Sequence, residues 1–116
     1  MTNDRIFECT NDNPDGGEWY YHSASDSIVL LKEHYLLEPE GYLRIPGKNE
    51  LYPFYMALDD FRQAMKEVGV ELTYPRKGVA RYLWEEGYMN TFRDFQYMKQ
   101  KEKCEEWCRM KDIPLN

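Results

Sequence analysis

The sequence predicts a small α+β domain: an N-terminal β-hairpin, an extended middle segment, and three to four helices packed with them. Three observations lead there. Two short runs rich in β-formers, RIFEC (5–9) and EWYYH (18–22), flank a stretch dense in turn residues, TNDNPDGG. Two later stretches, 57–69 and 75–87, carry apolar residues at helical spacing, and each ends at a glycine. A length of 116 residues suits a single domain spanning 1–116, long enough to remove roughly two thirds of its unfolded surface from water.

The elements follow in order. RIFEC and EWYYH read as the two strands of the hairpin. In SASDSIVLLKEHYLLEPEGY (23–42), Ser23 or Ser25 is a candidate cap, and Ser23 with Asp26 resembles a capping box. Ile28, Leu31, Tyr35 and Leu36 then share a helical face, and Pro39 and Gly41 stop it. The run SIVLL reads equally as a buried strand, which periodicity does not separate from a helix; helix is preferred. Residues 41–56 read as extended, with a turn at Pro46-Gly47. In 57–69, Leu58, Phe61, Met65 and Val68 form the apolar side, with Asp59 and Asp60 in the first turn and Gly69 at the end. In 76–87, Val79, Ala80 and Leu83 form the apolar side, with Pro75 near the start and Gly87 past the end. Asn90 or Thr91 caps a last helix, whose apolar residues begin at Phe92, Phe95 and Met98. They reappear on another face at Cys104, Trp107 and Cys108. Either that helix bends or its tail packs on a partner.

Charge is distributed unevenly. The net charge is −6. Residues 1–60 hold twelve Asp or Glu against four Lys or Arg, whereas residues 61–116 hold nine against eleven. A negative field repels nucleic acid and attracts basic protein surfaces. The three cysteines, an odd number, fit a reducing compartment better than a disulfide framework. No run has signal-peptide character or approaches the ~18 apolar residues of a membrane span. A soluble, cytoplasmic protein with no membrane contact is expected.

No motif names a reaction. At RIPGKNE the position five before Gly47 is Tyr42 and Asn49 follows Lys48, so a phosphate loop fails at both ends. Asn11, Asn13, Asp15 and Gly16 match the start of a calcium loop, but His22 stands where a bidentate Glu belongs. Cys104 and Cys108 are four apart, yet Cys9, His22 and His34 are the remaining soft ligands and none has zinc spacing. Those cysteines read as packing residues. The two histidines lie in no nucleophile motif, and Asp59 and Asp60, being adjacent, point apart on a helix. The expectation is a protein that is not an enzyme and takes no cofactor or metal.

What remains is an acidic, tyrosine-rich middle. Glu38, Glu40, Glu50, Asp59 and Asp60 alternate with Tyr42, Tyr52 and Tyr55. Tyrosine pairs a large apolar face with a hydrogen-bonding tip, and surrounding carboxylates steer a basic partner in. These eight residues are the expected protein-binding surface, and the expected partner has a basic surface, such as a nuclease or another nucleic-acid enzyme. The alternative is a winged-helix-like accessory touching nucleic acid through Arg76, Lys77 and Arg81, although Trp84 and two glutamates close that helix and a further helix stands where a wing belongs. A third class is a subunit of a larger assembly, which would draw on the tail around Trp107 and self-associate or aggregate when purified alone, so a homo-oligomer is also weighed. In size, charge and aromatic content the whole chain resembles the small acidic anti-defence proteins of phages, including anti-CRISPR and DNA-mimic inhibitors. That resemblance implies inhibition of a nucleic-acid-handling enzyme and, resting on no motif, carries over no functional residue.

Overall fold

The structure, a computed structural model, describes residues 1–12, 14, 16–32 and 39–116. Its class is α+β: five helices and one three-stranded antiparallel sheet among those residues. They divide into two compact units, residues 1–51 with 101–116, and residues 52–100.

The first unit opens with a helix where the hairpin's first strand was expected. Helix α1 spans Asn3–Asn11. The Thr2 hydroxyl accepts from the backbone N–H of Arg5 at 3.2 Å, and Asp4 lies in the first turn, where the helix dipole favours an anion. Ile6, Phe7 and Thr10 are buried, a helical rather than an alternating spacing. The capping threonine lies outside the run that looked like a strand, so the run alone misleads.

The hairpin lies one element later. Strand β1 (Glu18–His22) pairs antiparallel with β2 (Ser27–Leu31), Tyr20 opposite Val29 and His22 opposite Ser27. The serine-rich segment expected to cap a helix is instead the connecting turn. Its last residue, Asp26, takes a left-handed conformation at φ 48°, which Asp tolerates better than most residues. Its carboxylate accepts from the Tyr21 hydroxyl at 2.6 Å. The preferred helix over this stretch is therefore wrong from Ser27 to Leu31, and β-branched Ile28 and Val29 suit the pleat better. The expected helix positions Tyr35 and Leu36 lie outside the described residues.

Strand β3 (Tyr42–Arg44) pairs with the other side of β1, giving the sheet order β2-β1-β3. The extended reading of the middle holds to Arg44; beyond Pro46-Gly47 a single helical turn, α2 (Lys48–Leu51), follows. Glu50 on this turn accepts from the Gly47 N–H and takes the Arg44 guanidinium in two bonds, at 3.1 and 2.7 Å. Those bonds hold the Glu50 carboxyl below its usual range. The core of this unit joins Ile6, Phe7, Tyr21 and Ile45 to Cys104, Cys108 and Ile113.

The second unit is helical. Helix α3 runs from Phe54 to Glu67, three residues earlier than expected, because Pro53 supplies the extended N-cap. Asp59 and Asp60 thus sit beyond the first turn. Ala57 and Phe61 are buried and Leu58 and Met65 pack beside them, but Val68 is exposed and does not belong to the apolar side. Helix α4 is short, Val79–Glu85. Gly78 immediately before it is left-handed at φ 76°, ψ 37°, so no helix runs through 76–78. Leu83 anchors α4 in a core that includes Tyr52, Phe61, Leu72 and Phe92, whereas Ala80, expected on the apolar side, is exposed.

Helix α5 spans Met89–Met110 and explains the change of apolar face. Met89, Phe92 and Phe95 serve the core of residues 52–100, and Cys104, Trp107 and Cys108 serve the core of the first unit.

Candidate functional site

The eight residues expected to share one binding surface do not all reach a surface. Glu38 lies outside the described residues. Glu40, Tyr42 and Glu50 belong to the first unit, and Tyr52, Tyr55, Asp59 and Asp60 to the second. Glu40 is exposed in the turn before β3. Tyr42 is half-buried and stacks on His22, with ring centroids 4.4 Å apart. The Glu50 carboxylate is taken up by Arg44.

Tyr52 requires a correction. It is 0% exposed and its hydroxyl donates to Asp60 Oδ2 at 2.6 Å, so it is a core residue and no contact for a partner. Tyrosine serves the core repeatedly here. Tyr20 and Tyr21 are buried, the Tyr74 hydroxyl donates to the Leu58 carbonyl at 2.7 Å, and the Tyr82 hydroxyl accepts from the Thr73 N–H at 2.9 Å. Burial pushes the phenols of Tyr21 and Tyr74 up to about 12.

Three of the expected residues do come together, on the exposed side of α3. Tyr55 is 72% exposed. Asp59 lies one turn beyond it and Asp60 one turn beyond Met56, so two i,i+4 rows place an aromatic and a thioether beside two carboxylates. This side is opposite buried Ala57 and Phe61. Further along it, Arg62 pairs with Asp59 at 2.7 Å, and a groove of about 260 Å³ is lined by Arg62, Gln63, Lys66, Glu71 and Leu72. The helix face therefore carries Tyr55, Met56, Asp59 and Asp60 in its N-terminal half and the mixed charges of Arg62, Lys66 and Glu67 in its C-terminal half.

The expected nucleic-acid helix is also corrected. Arg76 and Lys77 are exposed but precede the left-handed Gly78, so they are not on α4, and Lys77 does not share a helical row with Arg81. Arg81 makes the expected i,i+4 pair with Glu85, at 2.7 Å. The link from α3 to α4 covers residues 68–78, longer than a winged-helix connection read from the sequence implied. Sequence reasoning missed one feature beside it. The Trp84 ring is 53% exposed and carries the Arg93 guanidinium 5.0 Å from its centroid. Eight residues, Gly87 among them, lie between the two in sequence, and no short spacing rule finds such a pair.

Recesses in the first unit offer little chemistry. One of about 110 Å³ is lined by Cys9, Asp12, Trp19, Arg44 and Glu50 among others. Trp19 Nε1 donates to Asp12 at 2.9 Å and Arg44 grips Glu50, so these polar groups satisfy one another. Burial pushes the Cys9 thiol up, away from the reactive thiolate. The buried Cys104 thiol is likewise pushed up, first by its hydrogen bond with Cys108 and then by burial. His22 Nδ1 lies 2.6 Å from Ser25 Oγ, but on the exposed hairpin turn. Among the described residues no group of three His, Cys, Asp or Glu is placed to hold a metal ion, and no helix is long and apolar enough to cross a membrane. No protein-family model, curated protein or solved structure matches the chain.

Proposed function

We propose that this chain is a non-enzymatic protein-binding module, an inhibitor or regulator that occupies a basic surface of a nucleic-acid-handling protein. One observation carries the reading: the N-terminal half of the exposed face of α3, where Tyr55 stands beside Asp59 and Met56 beside Asp60. A tyrosine exposed on a regular helix loses little entropy on docking, and its ring supplies most of the contact energy of a typical anchor. The carboxylates supply orientation and rate rather than affinity. Concentration of exposed apolar groups in the same unit supports the assignment: among the described residues, seven of the eight large exposed apolar side chains lie within 52–100. Mutual pairing of the polar groups around Cys9 and Arg44 favours binding over catalysis.

Site-specific photocrosslinking tests this. A photoreactive phenylalanine at position 55, expressed in the native host, should form one discrete adduct with a protein that carries a basic patch. Adding Asp59→Lys, at a position exposed to solvent, should weaken the adduct strongly. A probe at position 55 that crosslinks no more than one at Arg109 would sink the proposal. A second reading, a nucleic-acid accessory using Arg76, Lys77 and Arg81, draws on the exposed Trp84–Arg93 stack, since guanidinium and indole both accept a base face. A low-salt gel shift lost on Lys77→Glu with Arg81→Glu would favour it over the protein target.

A further inference from the structure

Arg76 and Lys77 are the chain's one pair of adjacent basic residues. The backbone around them is open. Pro75, Arg76, Lys77 and Gly78 are all exposed, and among the described residues the N–H and C=O groups of 75–77 make no backbone–backbone hydrogen bond. The other basic residues are placed differently. Of the fifteen, ten lie in helices and Arg44 lies in β3, which leaves Lys32, Arg76, Lys77 and Lys111. Lys111 sits in the turn that closes α5. Its N–H bonds to the Trp107 carbonyl, and those of Asp112 and Ile113 bond to Arg109 and Cys108. Lys32 is exposed but is followed by Glu33.

We propose that the bonds after Arg76 and Lys77 are a processing site for an endopeptidase whose pocket takes Lys or Arg through a carboxylate at its base. Exposed loop segments are the preferred places for such nicks, and the enzyme draws its substrate in as an extended, unpaired strand. On the leading side, residues 71–75 belong to no helix or strand, and Pro75 biases Tyr74 toward an extended backbone. On the trailing side α4 begins at Val79, but its start is weak. The N-cap Gly78 makes no side-chain cap bond, and seven residues form a marginal helix by themselves. A carboxylate pocket repels an acidic neighbour, which counts against Lys32 beside Glu33. In the cut, water adds across one amide. The hydroxyl goes to the carbonyl carbon of Arg76 or Lys77, the C–N bond breaks, and the released nitrogen takes the proton. The site splits one core: Tyr52, Phe61 and Leu72 lie before it, and Leu83, Met89 and Phe92 after it. A single cut therefore turns the core of the second unit from one chain into two pieces, and a new ammonium at Gly78 opposes the dipole of α4. Cleavage acts as a switch on the stability of this unit, whatever partner α3 binds.

Trypsin at a low ratio, acting on the folded full chain and followed by intact-mass spectrometry, tests access. The first products should be residues 1–76 or 1–77 and their complements, ahead of a cut at any other basic residue. Arg76→Gln with Lys77→Gln, both at exposed positions, should slow the first cut by about tenfold, because local opening at this segment and not global unfolding sets its rate. Urea too dilute to unfold the protein should leave that rate unchanged. Extract of the native host tests use: a new amino terminus at Lys77 or Gly78 is expected from the parent chain and not from the double variant. A first trypsin cut elsewhere overturns the proposal. So does a rate indifferent to the double variant, a rate that climbs with dilute urea, or a parent chain that the extract leaves whole at this site.

Discussion

Tyr52 and Tyr55 stand three residues apart in one acidic, aromatic stretch, and the structure gives them opposite fates. Tyr52→Ala removes a ring that is 0% exposed and leaves a cavity among Phe61, Leu83 and Phe92. Loss of a buried aromatic side chain costs about 3–5 kcal/mol. Tyr52→Phe removes only the hydroxyl, whose 2.6 Å bond goes to the Asp60 carboxylate; a bond to such a group contributes about 1.5–3 kcal/mol. Tyr55→Ala touches a side chain that is 72% exposed, and such surface changes stay within about 0.5 kcal/mol. Urea unfolding followed by far-ultraviolet circular dichroism separates the three. With a slope of about 2 kcal/mol/M, Tyr52→Ala should lower the midpoint by about 2 M, Tyr52→Phe by about 1 M, and Tyr55→Ala by no more than about 0.25 M. Equal midpoints for Tyr52→Ala and Tyr55→Ala would refute the placement of Tyr52 in the core, and with it the division of tyrosines between packing and docking.

Two further outcomes follow from the same packing. Leu83→Ala should cost about 2–5 kcal/mol and release α4, because a helix of seven residues cannot persist without its buried anchor; hydrogen exchange at 79–85 reports it. Tyr21 and Tyr74, both held up to about 12 by burial, should ionise late in an ultraviolet titration, and Tyr21→Phe or Tyr74→Phe should each shrink that late phase. A folded-state value raised above the ordinary 10.0 means the neutral phenol is favoured by folding. Stability is therefore fully present below pH 10 and falls as pH rises through 12, and the Tyr21→Phe protein should lose less of it across that window.

The sequence by itself determined the class, the helix over 57–67, the stop at Gly87 and the strand EWYYH, because each is written in local spacing, backbone freedom or side-chain stiffness. It determined as well that Arg81 would meet Glu85, since four residues make one helical turn. Tertiary structure decided the rest. RIFEC is apolar enough for either element, and a cap at Thr2 together with a core waiting for Ile6 and Phe7 made it a helix. SIVLL is a strand because β1 lies beside it to complete its hydrogen bonds, which no periodicity within five residues could announce. Whether a tyrosine faces inward depends on the helix opposite and not on its neighbours in the chain. Tyr52 went to the core and Tyr55 to the surface because α3 begins at Phe54, between them, and from there each added residue turns the side chain by a fixed angle around a core that only the assembled helices define.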